Sequence, residues 1–320
     1  MGAPLSADSA GDDVAVAGGR VLVTGAAGFI GSALCRELVW SGYEVHGTSR
    51  APRKGAEVCW WQVDLSEPDA IRQVMRKVRP SVVFHLASHV SGDRALSTVL
   101  STARDNLVAT VNLLTAACEA DGPRVVMAGS MEEVDPEDPT AAPGSPYAAA
   151  KTAAGTYGRL FHALYGLPVV HLRVFMVYGP GQRDITKLIP YVTTTLLRGG
   201  QPLLTSGTRE IDWVYVDDVV AAFIAAARVH GVVGEIVDVG SGRLITIRSL
   251  VDRLSRLVGA QVDPLFGALG DRPREVSRVA DVGRTETLLG WRPRTQLDTG
   301  LQRTIRWFAE RENASRRAPD

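Results

Sequence analysis

A doubly wound α/β sheet with a smaller C-terminal α/β lobe is predicted by three features of the 320-residue sequence. Apolar runs of strand length alternate with stretches of helix length from Arg20 to about Tyr178. A glycine-rich turn, Gly25-Ala26-Ala27-Gly28-Phe29-Ile30-Gly31, joins the first strand to the first helix. The alternation then breaks after Tyr178-Gly179-Pro180-Gly181, which marks the second lobe. Strands and helices at this spacing imply right-handed βαβ units, hence parallel strands covered on both faces.

The elements follow in order. Residues 1–18 are small, acidic and aperiodic, and are expected to be a disordered leader. RVLVT, from Arg20, is the first strand, and a helix from about Gly28 to Trp40 stops at Ser41-Gly42. YEVHGTS and VCWWQVDL are the next strands; a helix over Pro68–Val78 leads to VVFHLA. One long helix is expected over about Ala95–Glu119, then the strand RVVMAGS, a Pro/Asp loop, a helix over Pro146–Tyr165 and the strand LPVVHLRVF. Beyond residue 181 the pattern predicts a helix at 187–197 and short strands at Leu203-Leu204 and DWVYV. A helix from Asp217 to Val229 and the strand EIVDVG follow, with further helices at 246–258 and 297–311.

Composition excludes several classes. Hydrophobic residues at 45% and charged residues at 22% describe an ordinary globular core. Lys+Arg and Asp+Glu are both 35, so no basic surplus points to nucleic acid. No apolar run reaches the length of a membrane span, and no basic segment precedes an apolar stretch at the N-terminus. Cys35, Cys59 and Cys118 are expected as reduced core residues of a cytoplasmic protein. The six histidines and these cysteines show no metal-ligand spacing.

The glycine turn carries the first chemistry. Strand, GxxGxxG and helix together form a Rossmann-type signature: glycines let backbone approach a pyrophosphate, and the helix N-terminus supplies N–H donors. Gly25, Ala27, Gly28, Phe29 and Ile30 are the expected contacts. An NAD site places an acid at the end of the second strand to bind the ribose 2′-OH. Here the text is Ser49-Arg50, with Arg53 close behind, which suits a 2′-phosphate and so NADP(H). Asp64-Leu65 after the third strand is expected beside the adenine, and Leu86-Ala87 after the fourth beside the cofactor. Tyr147 and Lys151 stand at i, i+4 on one helix face, downstream of Ser130 at a strand end. A nearby ammonium together with an oxidised nicotinamide would favour the phenolate and make the tyrosine a usable base.

With TGAAGFIG, FHLAS, Asn106, Ser130, YAAAK, LRVFMVYGPG, DWVYVDD and LGWRP in place, residues 20–310 resemble the extended short-chain dehydrogenase/reductases that act on nucleotide sugars. The resemblance implies a dinucleotide domain over 19–178, to which 212–240 return, and a substrate lobe of 179–211 and 241–320. It implies that Tyr147 exchanges a proton with a sugar oxygen, that Ser130 binds the same oxygen, and that Lys151 holds the ribose. In the family's 4,6-dehydratases an acid or hydroxyl residue and a glutamate follow the strand-end residue; here Met131 and Glu132 follow Ser130. A thioether has no proton to give. GSMEE is similar to the text of 4-keto-6-deoxy-sugar nucleotide reductases, so the expected activity is NADPH-dependent 4-ketoreduction, with Glu132 kept as a candidate catalytic group; the alternatives are a 4-epimerase and, behind it, a 4,6-dehydratase or a catalytically silent sensor of the same fold. The same resemblance points to His89, Met176, Lys187, Arg209, Arg272 and Arg274 as substrate contacts, and to a homodimer.

Overall fold

The computed structural model describes residues 18–134, 141–271 and 277–317. The expected leader, Gly18 apart, and both Arg272 and Arg274 lie outside the described residues. In chain order the elements are β1 (Arg20–Thr24), α1 (Phe29–Trp40), β2 (Glu44–Ser49), β3 (Val58–Gln62), α2 (Pro68–Val78) and β4 (Val82–His85). A 3₁₀ turn (Leu96–Thr98), α3 (Val99–Ala103), a π-helical turn (Arg104–Val108) and α4 (Ala109–Cys118) follow. Then come β5 (Arg124–Ser130), α5 (Pro146–Tyr165), β6 (Val169–Val174), β7 (Met176–Tyr178), α6 (Leu188–Leu197), β8 (Glu210–Tyr215) and α7 (Val216–Arg228). The last elements are β9 (Ile236–Val239), β10 (Leu244–Thr246), α8 (Ile247–Val258), α9 (Val282–Leu289) and α10 (Leu297–Arg317).

Seven strands form one parallel sheet in the order β3-β2-β1-β4-β5-β6-β9. Successive side chains of a strand face opposite sides, and here both sides are covered. Val21, Val23, Val82, Phe84, Val170 and Leu172 enter the core on one face, with α1 and α7. Leu22, Val83, Val125, Met127 and Val169 enter a second core on the other, with α2 and α4. The central strands therefore read as continuous apolar runs. The strand order reverses direction between β1 and β4, which opens a crevice at their carboxyl ends where such sheets bind ligands.

The second sheet has the order β10-β8-β7, with β8 parallel to β7 and antiparallel to β10. This corrects the expectation that the chain returns to the main sheet at residue 212. DWVYV belongs to β8 and the small sheet, and the return begins with α7. Ile211 to Tyr215 are all buried, so the run has the same apolar character it would have in the main sheet. Leu203-Leu204 is not a strand: Leu203 makes an isolated bridge to Leu265. Cys35 is buried, but Cys59 and Cys118 are exposed, contrary to expectation, because β3 is an edge strand and Cys118 ends its helix.

Two aspartates of DWVYVDD fasten the C-terminal segment. Asp212 is fully buried. Its Oδ1 accepts from Ser241 N–H (2.6 Å) and Oγ–H (2.7 Å), and its Oδ2 from the N–H groups of Gly242 (2.9 Å) and Ala280 (3.0 Å). Asp218 accepts the N–H groups of Arg294 (3.1 Å) and Thr295 (2.9 Å), and its carbonyl accepts Trp291 Nε1–H at 3.0 Å. LGWRP is thus a docking segment for the start of α7.

Candidate active site

The β1–α1 turn is shaped for close backbone approach. Gly25 has φ +68°, and a Cβ there would sit 2.7 Å from Ala87 N. A Cβ on Gly31 would sit 2.1 Å from Gly25 O, so this position is closed to any side chain. Gly28 caps α1 with no side-chain hydrogen bond, and the first turn holds no acid. The first N–H groups of a helix lack intrahelical partners and carry partial positive charge. An uncapped, acid-free helix start beside a side-chain-free turn fits a dinucleotide pyrophosphate.

The cleft at this turn brings together Gly25, Ala27, Gly28, Ser49, Arg50, Asp64, Leu65, Leu86 and Ala87, with Ser88, His89 and Asp105. Phe29 and Ile30 are half-buried against the core instead, and Arg53 is exposed on the β2–β3 loop. Asp64 does not cap α2. It accepts from Ser66 N–H (2.9 Å) and Oγ–H (2.8 Å), which hold its carboxyl below the usual range. Arg50 donates to Asp105 at 3.0 Å, and Arg104 donates to the same carboxylate at 2.9 Å.

A buried relay fixes the floor of the cleft. Thr110 Oγ–H donates to Asn106 O (2.6 Å), so its oxygen accepts from His85 Nε2–H (2.9 Å). His85 Nδ1 then accepts from Thr24 Oγ–H (2.8 Å), whose oxygen accepts Ala87 N–H (3.2 Å). Burial, with Lys151 nearby, pushes the His85 imidazole down to about 3. It is therefore a neutral spacer at pH 7. The π-helical turn carries Asp105, which lines the cleft, and Asn106, which is buried behind it. Asn106 Oδ1 accepts His89 N–H (2.6 Å) and Ser88 Oγ–H (3.0 Å), and its Nδ2 donates to His89 O (3.0 Å).

Ser130, Tyr147 and Lys151 meet at the carboxyl end of β5. Ser145 caps α5 by accepting Ala148 N–H at 3.1 Å, and Pro146 opens its first turn. This fixes Tyr147 in the first turn and Lys151 one turn later. All three side chains are buried. Ser130 and Ser88 are the hydroxyl neighbours that favour the ionised form of Tyr147. The Lys151 ammonium donates to Ala128 O at 2.8 Å and lies 5.9 Å from the Tyr147 ring centre. Burial raises the Tyr147 pKa well above the ordinary phenol value; the Ser130 hydrogen bond opposes this, and Glu132 and Glu133 add to it. The protein's own groups therefore keep Tyr147 a neutral phenol. The expected depression of its pKa is not supplied by Lys151 alone.

The residues after Ser130 divide differently from expectation. Met131 is buried in the core, and its N–H donates to Val174 O (3.0 Å). Glu132 is half-buried and gives its N–H to Ser130 Oγ (3.2 Å). Glu133, not Glu132, is the buried carboxylate, bonded to Ser130 N–H and His171. Among the substrate candidates, His89 lines the cofactor cleft, with Nδ1 3.8 Å from Asp105. Met176 opens β7 and packs against the core, Lys187 caps α6 beside Asp184, and Arg209 immediately precedes β8. Among the described residues no group of three or more His, Cys, Asp or Glu could hold a metal, and no helix is long and apolar enough to cross a membrane.

Comparison with known proteins places these features in a family. The model of the NAD dependent epimerase/dehydratase family matches residues 21–240. The UDP-glucose 4-epimerase of Mycolicibacterium smegmatis is 34% identical over 312 residues, covering 90% of this chain and 98% of that protein. A probable dTDP-glucose 4,6-dehydratase of Sinorhizobium fredii is 30% identical over 331 residues, covering 91% and 93%. Among solved structures, MoeE5 in complex with UDP-glucose and NAD is 33% identical with a TM-score of 0.82, covering 92% of this chain and 100% of that one.

Proposed function

Because this chain belongs to the NAD dependent epimerase/dehydratase family, we propose that it inverts the C4 configuration of a nucleotide-linked hexose, with UDP-hexoses as the first substrates to try. The observation that carries this reading is the meeting of Ser130, Tyr147 and Lys151 at one strand end while Met131 turns into the core. Water loss from the sugar needs a group that can protonate the leaving hydroxyl, and a buried thioether cannot. What remains is exchange of a proton and a hydride at one carbon. The likeness to the UDP-glucose 4-epimerase favours epimerisation over the reductase reading that the strand-end text suggested.

In this account the bound nicotinamide cofactor supplies the redox chemistry, and the chain supplies the rest. The open start of α1 holds the pyrophosphate, and Lys151 holds the nicotinamide ribose. As the phenolate, which the charge of a bound oxidised cofactor would favour against the effect of burial, Tyr147 would take the proton of the C4 hydroxyl as hydride leaves C4 and give it back when hydride returns, and Ser130 Oγ would hold that oxygen in place. Arg209, Lys187, Arg272 and Arg274 are proposed contacts of the nucleotide moiety, and His89 and Met176 of the sugar. The test is incubation of the purified protein with UDP-glucose and catalytic cofactor, with the anomeric signals followed by proton NMR. Appearance of the C4 epimer is expected.

A second reading, NADPH-dependent reduction of a 4-keto-6-deoxy sugar nucleotide, is favoured by Arg50. It follows Ser49 in the cleft, where its guanidinium is paired with Asp105 and its side chain is 65% exposed, open to a further anion. One charge-assisted hydrogen bond to a phosphate is worth about 1.5–3 kcal/mol. Arg50→Ala is therefore expected to weaken NADPH binding by roughly 10–150-fold and leave NADH nearly unchanged. Equal losses for both cofactors in a fluorescence titration would remove the 2′-phosphate role.

A homodimer is also proposed. Leu96 (87% exposed), Leu100 (83%), Leu164 (68%) and Tyr165 (61%) form apolar surface on the 96–103 helical segment and α5, which pack side by side. Helix pairs of this kind associate as four-helix interfaces. Light scattering at micromolar concentration is expected to give twice the chain mass of 34.3 kDa, and a monomer would refute it.

A further inference from the structure

The exit of β5 carries a buried pair that the proton exchange proposed above does not use. His171 Nε2 lies 3.0 and 2.9 Å from the two carboxylate oxygens of Glu133. Glu133 Oε1 also accepts the N–H of Ser130 at 2.8 Å. Two glycines clear the space. A Cβ on Gly129 of β5 would lie 2.2 Å from His171 Nε2 and 2.5 Å from Glu133 Oε1, and one on Gly155 of α5 would lie 3.0 Å from His171 Cε1. Gly155 follows Lys151 by one turn on the same helix face. The pair thus occupies a built chamber between β5, β6 and the face of α5 that carries Lys151.

Lys151 needs such a neighbour. Its ammonium is buried and donates to a neutral carbonyl, that of Ala128. Burial disfavours the charged amine and brings it down to about 8, and Glu133 acts in the opposite sense. The other titratable groups around the site do not replace Glu133. His85 on β4 is neutral with both nitrogens bonded, and Tyr147 is a neutral phenol. Glu132 is half-buried and acts on Tyr147, while Arg278 reaches the backbone carbonyl of Glu133 at 3.2 Å.

We propose that Glu133 is a positioning residue: held by His171, its carboxylate fixes the Ser130 backbone and provides the counter-charge that keeps Lys151 protonated beside Tyr147. The inference rests on Tyr147 and Lys151 being the proton-exchange site, but its test does not require any sugar to be turned over.

The chain has four lysines, Lys54, Lys77, Lys151 and Lys187. Carbon-13 label at lysine Cε in the whole protein therefore gives four NMR signals, and Lys151→Met identifies that of Lys151. An opposite charge nearby shifts a pKa by about 1–3 units. The titration midpoint of Lys151 is expected to fall by at least about one pH unit in Glu133→Gln, and by less in Glu133→Asp, whose carboxylate is withdrawn by one methylene. A merely structural role would lower the melting temperature and leave this midpoint in place. An unchanged midpoint in Glu133→Gln, folded as judged by circular dichroism, or a fall in Glu133→Asp as large as that in Glu133→Gln, overturns the proposal. If the shift is found while no nucleotide sugar is epimerised, this inference stands and the proposed function fails.

Discussion

Tyr147→Phe is expected to lower turnover by about 10²–10⁴-fold, the contribution usual for a positioned acid–base group. The ring is buried at the start of α5, and phenylalanine preserves its packing. The lost hydroxyl has Ser130 and Ser88 as polar neighbours, and each keeps another partner: Ser130 Oγ accepts Glu132 N–H, and Ser88 Oγ–H donates to Asn106. Cofactor binding and the melting temperature are therefore expected to change little. Steady-state kinetics with a fluorescence titration of cofactor separates the two effects. A variant with near wild-type turnover would move the proton exchange to another group.

Asp212→Ala is expected to cost about 3–5 kcal/mol of stability. The carboxylate accepts four hydrogen bonds, three from backbone N–H groups of residues 241, 242 and 280. Alanine leaves those donors without an acceptor, and each bond to a charged group is worth about 1.5–3 kcal/mol, partly recovered by relaxation and water. Because these donors belong to the segments flanking β10 and α9, the loss falls on the C-terminal lobe first. Differential scanning calorimetry is expected to show a large drop in the unfolding temperature. A shift of less than a degree would mean that Asp212 does not fasten this segment.

Much of the fold was legible where local chemistry and tertiary packing agree. The helix at Pro146–Tyr165 has the bounds read from the sequence, because Ser145-Pro146 starts it and Gly166, in the left-handed conformation, ends it. The bounds of α2, Pro68–Val78, are equally clear, with proline in the first turn and a strong apolar face. β7 and β10, three residues each, are too short to show a period and exist because β8 pairs with both. The one long helix expected over about Ala95–Glu119 is instead a 3₁₀ turn, α3, a π-helical turn and α4 over 96–118. Its π turn leaves no pattern in the sequence, yet it carries Asp105, which lines the cleft, and Asn106, which holds the backbone of His89 there.

The candidate site was legible for Ser130, Tyr147, Lys151 and the glycine turn, whose spacing follows from strand, turn and helix geometry. The carboxylate beneath Ser130 was not. Glu132 and Glu133 are adjacent, and only the turn after β5 decides that the second points inward to His171. His171 itself sits in an apolar strand without a local signal. Its partner is 38 residues away in sequence, a distance over which pattern reading has no purchase.

The central claim is that the site exchanges hydride and proton at C4 of a nucleotide-linked hexose without losing water. The most direct test supplies UDP-glucose, UDP-glucuronate and dTDP-glucose separately to the purified protein with a catalytic amount of oxidised cofactor, and follows each sugar by proton NMR. The account predicts that at least one is converted to its C4 epimer, with no new C6 methyl signal and no net accumulation of reduced cofactor. Formation of a 4-keto-6-deoxy sugar, or conversion of sugar only when a 4-keto substrate is supplied with stoichiometric NADPH, would contradict it.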